Sequence, residues 1–426
     1  MHDTIRAVRA WEILSGVGRP TVEVEVTTAH GCRGTASVPA GTSTGAHEAK
    51  ALYDGGTRYR GYGVRKAVEN VHRIIAPAVC GMDVRAQEGI DQILIDLDGT
   101  PLKERLGANA LLAVSLAVAQ AGAQAAGLPL YRYLGGLTAT RLPIPLATVL
   151  AGGHHSPSDL PFEDYLISVR GFVSFGDAVE ALSAIHGALG DRLRKRFGIV
   201  PDVGGAYAPP LASTEEAFDT ILEAVAQAGC AGKISLGLDV VGSDLYDRQA
   251  GAYRVGGKHL SPDEFIAHFV ALTEQYPLDI IEDPFDEDDF ALHAALTARL
   301  PAKRIVGDDL FATSVQRLAR GIAERAGNSL LLKVNQAGTL TEAIRAGQLA
   351  RDSGYGTIVS LRSGDTNDSF IADLAVGLGA EQIKLGGPVR GERNAKYNRL
   401  LVIEQDLGTG AGFAGRLGRV PAQARS

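Results

Sequence analysis

Cysteine is nearly absent from this chain. Only Cys32, Cys80 and Cys230 occur in 426 residues, odd in number, far apart and without a Cys-x-x-Cys pair. That excludes a disulfide framework and points to a reducing cytoplasm. Long apolar runs are missing too. None approaches the ~18 residues expected of a membrane-spanning helix, and the opening MHDTIRAVRAWEIL has no apolar core of a secretory signal. Positive charge is not in excess. A formal net charge of −7 argues against broad nucleic-acid affinity, while leaving room for a local basic pocket. No solenoid-type repeat stands out. What remains is ordinary for a soluble globular protein. With 45% hydrophobic and 21% charged residues, the chain can bury a large core, and 426 residues suit two or three domains, or a barrel with an appended domain.

The first third differs in rhythm from the rest. TVEVEVTTAHGCRGTASVP alternates apolar and polar residues and turns at His30-Gly31, which predicts a β-hairpin. VRKAVENVHRIIAPAV and ALLAVSLAVAQAGAQAA carry helical periodicity, the second closed by Gly127 and Pro129. Residues 1–135 therefore read as a small α+β domain. After RLPIPLATVL, short β-rich runs (YLISV, ISLGLDV, LDIIEDP, RIVGDD, LLLKVN, GTIVS, QIKLGG) alternate with helical stretches such as EEAFDTILEAVAQA and TLTEAIRAGQLARD. That alternation predicts a parallel βα barrel over residues 141–426, with its active site at the C-terminal strand ends. The Gly-, Ala- and Arg-rich tail after Asp406 is expected to be mobile.

Chemistry-bearing residues gather at those strand ends. Asp239, Glu282 and Asp308 follow three successive β-like runs. An all-oxygen set suits Mg²⁺ better than zinc. Their neighbours Asp283, Asp286, Glu287 and Asp309 are expected to be solvated or to stand behind the ligands. Lys333 lies within an apolar run, where an isolated ammonium is costly. A nearby metal and a second cation are expected to lower its pKa and make it a general base. Lys384 occupies a similar place two strands later. Arg362-Ser363, in the turn SLRSGDT, form an anion grip, because guanidinium binds phosphate or carboxylate in a bidentate manner. The Gly-rich GTSTGAHEA segment, with Ser43, reads as a lid over a phosphate or metal.

Taken together, GRPTVEVEV, VPAGTSTGAHEA, GANALLAVSLAVA, IEDPFDEDD, VGDDLFAT, NSLLLKVNQAGTLTEA, FIADLAVGLG and AKYNRLL resemble the enolase (phosphopyruvate hydratase) family along nearly the whole chain. The resemblance implies a barrel with an N-terminal cap, Mg²⁺ as cofactor, and a homodimer or ring of dimers. It implies that Asp239, Glu282 and Asp308 hold one Mg²⁺ and that Ser43 helps hold a second. Lys333 would remove the proton alpha to the substrate carboxylate, Lys384 would grip that carboxylate, and Arg362 and Ser363 would bind the phosphate. His155, in GGHHS, matches a substrate-binding histidine on a second loop. The chain also departs from the pattern. Val203, in PDVGGAYAP, replaces a glutamate that assists departure of the 3-hydroxyl. Leu361 replaces a histidine, and Asp164 replaces a glutamate of the same charge. Asp164 or the adjacent Glu163 is then the acid left to do that work. The expected reaction is interconversion of 2-phosphoglycerate with phosphoenolpyruvate and water. Two alternatives stay open. One is a divergent relative acting on phosphoenolpyruvate or a phosphonate, similar to carboxyphosphonoenolpyruvate synthase; the other is a non-catalytic protein on this fold.

Overall fold

The computed structural model of the chain describes residues 3–40 and 45–415. Three antiparallel strands open it: β1 (Ile5–Leu14), β2 (Pro20–Thr28) and β3 (Arg33–Ser37), in spatial order 1-2-3. β2 and β3 are the expected hairpin, with Gly31 at φ +89° in the turn, a conformation that glycine adopts without Cβ strain. β1 was not expected. Its segment IRAVRAWEIL buries Ile5, Val8 and Ala10 at near-alternate positions. Behind this sheet lies the helix Ala108–Ala125. It is apolar enough to suit a membrane, but 83% of it is buried inside the molecule, as a core helix should be.

The second sheet closes on itself. Its strands are β4 (Ile144–Ala151), β5 (Asp164–Val169), β6 (Ile234–Asp239), β7 (Leu278–Glu282), β8 (Arg304–Gly307), β9 (Ser329–Leu332), β10 (Gly356–Ser360) and β11 (Gln382–Lys384). β11 pairs back with β4, completing an eight-stranded barrel. Helices between the strands cover its outside. Several begin at Ser or Thr caps, among them Ser174, Ser213, Ser261, Ser314 and Thr339, whose side chains accept a first-turn N–H. Inside, Leu146, Leu166, Ile280, Val306, Leu331 and Ile358 form one fully buried apolar cluster, one residue from each of six strands.

The barrel corrects the expectation of an all-parallel sheet. β5 runs antiparallel to both β4 and β6. The connection from β4 to β5 contains no long helix to carry the chain back across the barrel, so β5 must return in the opposite direction. Two helices, Phe175–Phe197 and Thr214–Gln227, then follow before β6. The tail expectation is corrected in part as well. The last helix, Gly391–Leu407, runs past Asp406, and Gly412–Phe413 pairs in parallel with Arg141–Leu142. The residues after 415 lie outside the described ones, as does Ser43.

Candidate active site

Strand register builds the site. At the barrel mouth Asp164 on β5 pairs with Asp239 on β6, which pairs with Glu282 on β7. Three carboxylates therefore stand level on three adjacent strands. Asp164 reaches this level from the first residue of its strand, because β5 is reversed. Asp308 follows β8 directly, Lys333 follows β9, and Lys384 ends β11. Lys333 was expected within its strand; it caps it instead, leading into the short helix Val334–Ala337.

The two lysines tie the acids together. Lys384 Nζ lies 2.8 Å from Asp239 Oδ2 and 2.8 and 2.9 Å from the two oxygens of Glu282, with Asp164 at 3.7 Å. Lys333 Nζ donates to Asp308 Oδ2, and Gln336 Nε2 donates to Asp308 Oδ1 at 2.7 Å. The predicted triad and both lysines thus share one cavity. Burial pushes the Glu282 carboxyl well above its ordinary range, and the charge of Asp239 adds to this. Burial also raises Asp308, but Lys333 and Arg362 outweigh it and hold that carboxyl below the usual range. For Lys333 two effects oppose each other. Burial pulls its pKa down, but Asp308 more than offsets this and holds it above the ordinary lysine value. Lys384 is raised further, because Asp239, Glu282 and Asp164 overcome its desolvation.

A second acid cluster shares Asp308. The carboxylates of Asp283, Asp308 and Asp309 lie within 4.8 Å of one another. Asp283 has both oxygens engaged, accepting the backbone N–H of Asp308 at 2.9 Å and of Asp309 at 2.6 Å. It therefore orients the strand end rather than offering a free ligand atom. Asp283 and Asp286 are buried, which removes one of the two expectations for them and leaves a place behind the ligands. Glu287 accepts the N–H of Ala46 at 3.3 Å, tying the arm after the Gly-rich segment to the barrel.

Arg362 sits beside this centre, 5% exposed, with Nη1 2.7 Å from Glu48 Oε2 of that arm. Ser363 is exposed in the next position of the turn. The turn is tight. Ala40 N–H reaches Gly364 O at 2.8 Å, and a Cβ on Gly364 would meet that Ala40 carbonyl oxygen at 2.2 Å. Glu48 and Gln336 did not come forward from the sequence; their roles depend on contacts far apart in the chain. The side chain of His155 lies outside the described residues; its backbone closes the short turn Gly153–His155.

Two of the departures, Val203 and Asp164, sit beside β4. Val203 is half-buried in a hairpin with a two-residue turn, Gly204-Gly205, both at positive φ. That hairpin joins β4 through Tyr207 and Leu150. Leu361 lies apart from them, directly after β10, its N–H donating to Lys384 O on β11 at 3.1 Å. Glu163 borders the same strand. Its carbonyl accepts the N–H of Gly152 at 2.8 Å, and its carboxyl is pushed up to about 8, by burial first and then by Asp239 and Asp164.

Comparison with known proteins agrees with this geometry. Residues 5–134 match the family described as "Enolase, N-terminal domain", and residues 139–421 match "Enolase, C-terminal TIM barrel domain". A relative named Enolase from Methanopyrus kandleri is 52% identical over 97% of this chain and 98% of its own length. Relatives of the same name from Methanothrix thermoacetophila and Pyrococcus furiosus are each 49% identical. They cover 97% of this chain, and 98% and 97% of their own lengths respectively.

Proposed function

Because the chain belongs to the enolase family, we propose that its site dehydrates 2-phosphoglycerate to phosphoenolpyruvate. The observation that carries this reading is the convergence of Asp239, Glu282 and Asp308 with Lys333 and Lys384 at the barrel mouth. Likeness along almost the whole chain to relatives named Enolase favours this reaction over a phosphonate-directed or non-catalytic alternative.

The donor set fits Mg²⁺. All three acids offer oxygen, all are buried, and the structure balances them with ammonium groups. In this reading Asp239, Glu282 and Asp308 hold the cation, with Ser43 near a second one. Bound there, divalent charge offsets the dianion that forms when an alpha proton leaves.

The chain's own groups have these roles. Lys333 takes the proton from the carbon alpha to the carboxylate. Freed from Asp308 by a competing cation, its pKa falls toward the range a base needs. Lys384 faces the carboxylate, and Arg362 and Ser363 hold the phosphate, with His155 completing the pocket. The C3–O bond then breaks as the C2–C3 double bond forms, and the hydroxyl needs a proton. Val203 has none to give. Glu163 does: with a pKa of about 8 it holds its proton at neutral pH. A cation on Asp239 removes one contribution to that shift but not the larger one, desolvation. Asp164, accepting from Thr148 Oγ1 at 3.1 Å and facing Lys384, is the second carboxyl of this pair.

The rest of the reading is coarser. Residues 1–135 serve as the cap and 141–426 as the catalytic barrel. A cytoplasmic location and a homodimer or larger homo-oligomer follow from the family likeness. A monomer-sized particle in light scattering would overturn the assembly. The reaction is tested by phosphoenolpyruvate absorbance on adding 2-phosphoglycerate with saturating Mg²⁺. Binding of both ligands without turnover would sink it.

A further inference from the structure

The turn that carries Arg362 rests on a buried cation outside the catalytic cluster. Lys396, in the helix Gly391–Leu407, is 1% exposed. Its Nζ lies 2.8 Å from Asp365 Oδ1, and it also donates to the carbonyls of Thr366 and Glu392. All three ammonium hydrogens are therefore used. Asp365 is buried too, and its other oxygen accepts the backbone N–H of Arg362 at 3.2 Å. The same turn carries the cap domain. Gly16 N–H donates to Asp365 O at 2.8 Å, Ser37 Oγ meets Thr366 Oγ1 at 2.7 Å, and Ser37 N–H donates to Asp368 Oδ2 at 3.0 Å.

Stability alone explains this pair poorly. Removing two charges from water costs several kcal/mol per ion, and apolar residues of like volume often replace a buried pair without loss. What apolar residues cannot reproduce is direction. One end of the carboxylate is fixed by Lys396, so the other end fixes where the backbone of Arg362 begins. A displacement of about 1 Å in a binding group can cost ~10²-fold.

We infer that Lys396, acting through Asp365, is a positioning residue that aims Arg362 and Ser363 at the phosphate and couples that aim to seating of the cap domain. The inference rests on the reading of Arg362 as the phosphate grip, so the experiment separates the two. Affinity for inorganic phosphate and for phosphoenolpyruvate, with Mg²⁺, is measured beside thermal stability. The proteins are wild type, Lys396→Arg, Asp365→Asn, Lys396→Met, the double variant Lys396→Met/Asp365→Asn, and Arg362→Ala. The expected result is about ten- to a hundredfold weaker phosphate binding in Asp365→Asn and in the double variant. Lys396→Arg should retain most of the affinity. Stability should fall in Lys396→Met, which strands Asp365, and recover in the double variant while affinity does not. Wild-type phosphate affinity in a folded double variant, or in Asp365→Asn, overturns the inference. Unchanged affinity in Arg362→Ala overturns the underlying reading instead.

Discussion

Two sectors of the barrel mouth solve the problem of buried charge differently. In the parallel arc from β6 to β11, Asp239, Glu282 and Asp308 each have a lysine ammonium within hydrogen-bonding distance, as Lys384 does for Asp239 and Glu282. In the reversed corner around β4, β5 and the 202–207 hairpin, charge is lowered by other means. Val203 is apolar, and burial leaves the Glu163 carboxyl protonated at neutral pH. The arc sets its three acids against ammonium groups, whereas in the corner burial keeps the Glu163 carboxyl protonated.

The largest test of this contrast removes the arc's base. Lys333→Ala should abolish solvent deuterium exchange at the alpha carbon, with turnover lower by ~10⁴-fold, the upper end for a positioned acid or base. Phosphate binding through Arg362 should persist. Exchange at the wild-type rate would make Lys333 structural.

Next, the corner. Glu163→Gln should lower kcat by ~10²–10³-fold while leaving alpha-proton exchange in place, since the base is intact. Adding Val203→Glu to that variant should restore part of the loss, because the hairpin borders the same strand end. Equal kcat in Glu163→Gln and wild type would move the proton donor to Asp164.

A third experiment asks whether the arc's acids bind metal as a set. Asp239→Ala should weaken Mg²⁺ binding by at least ~tenfold in calorimetry, a loss of ~1.4 kcal/mol. Indistinguishable titrations would remove Asp239 from the metal site.

The smallest expected effect lies behind the arc. His293 is fully buried against Phe285, its Nδ1 2.8 Å from Asp289 O, and burial pushes its pKa down to about 4. The unfolded chain, with a histidine near 6.5, binds the proton first. Stability is therefore full above pH ~6.5 and falls as pH drops toward 4, by up to ~3 kcal/mol. His293→Gln should flatten that slope in denaturant titrations at pH 7 and 4.5. An unaltered slope would assign the acid sensitivity to other groups.

The sequence made the arc legible and left much of the corner hidden. Strands such as ISLGLDV and LDIIEDP announce themselves because apolar runs and terminal acids are local features. Direction is not local: YLISV has the same pattern whichever way it runs, so the reversal of β5 could not be read. The pairing of Lys333 with Asp308 was hidden too, because its partner comes from another strand. For Asp283 the acidic run left two readings open, solvated or behind the ligands, and two backbone N–H groups just past the next strand decide between them. Lys396 and Asp365 lie in segments whose family likeness is plain, but their pairing across the turn is visible only in three dimensions.

The apolar layer of Leu146, Leu166, Ile280, Val306, Leu331 and Ile358 has a consequence for proton traffic. It stoppers the barrel, making the catalytic chamber a vessel with one opening. Lys333 and Glu163 can then exchange protons with bulk water only from the side where the cap sits. Replacing Ile280 with a polar residue would pierce the stopper and let water reach the chamber from below.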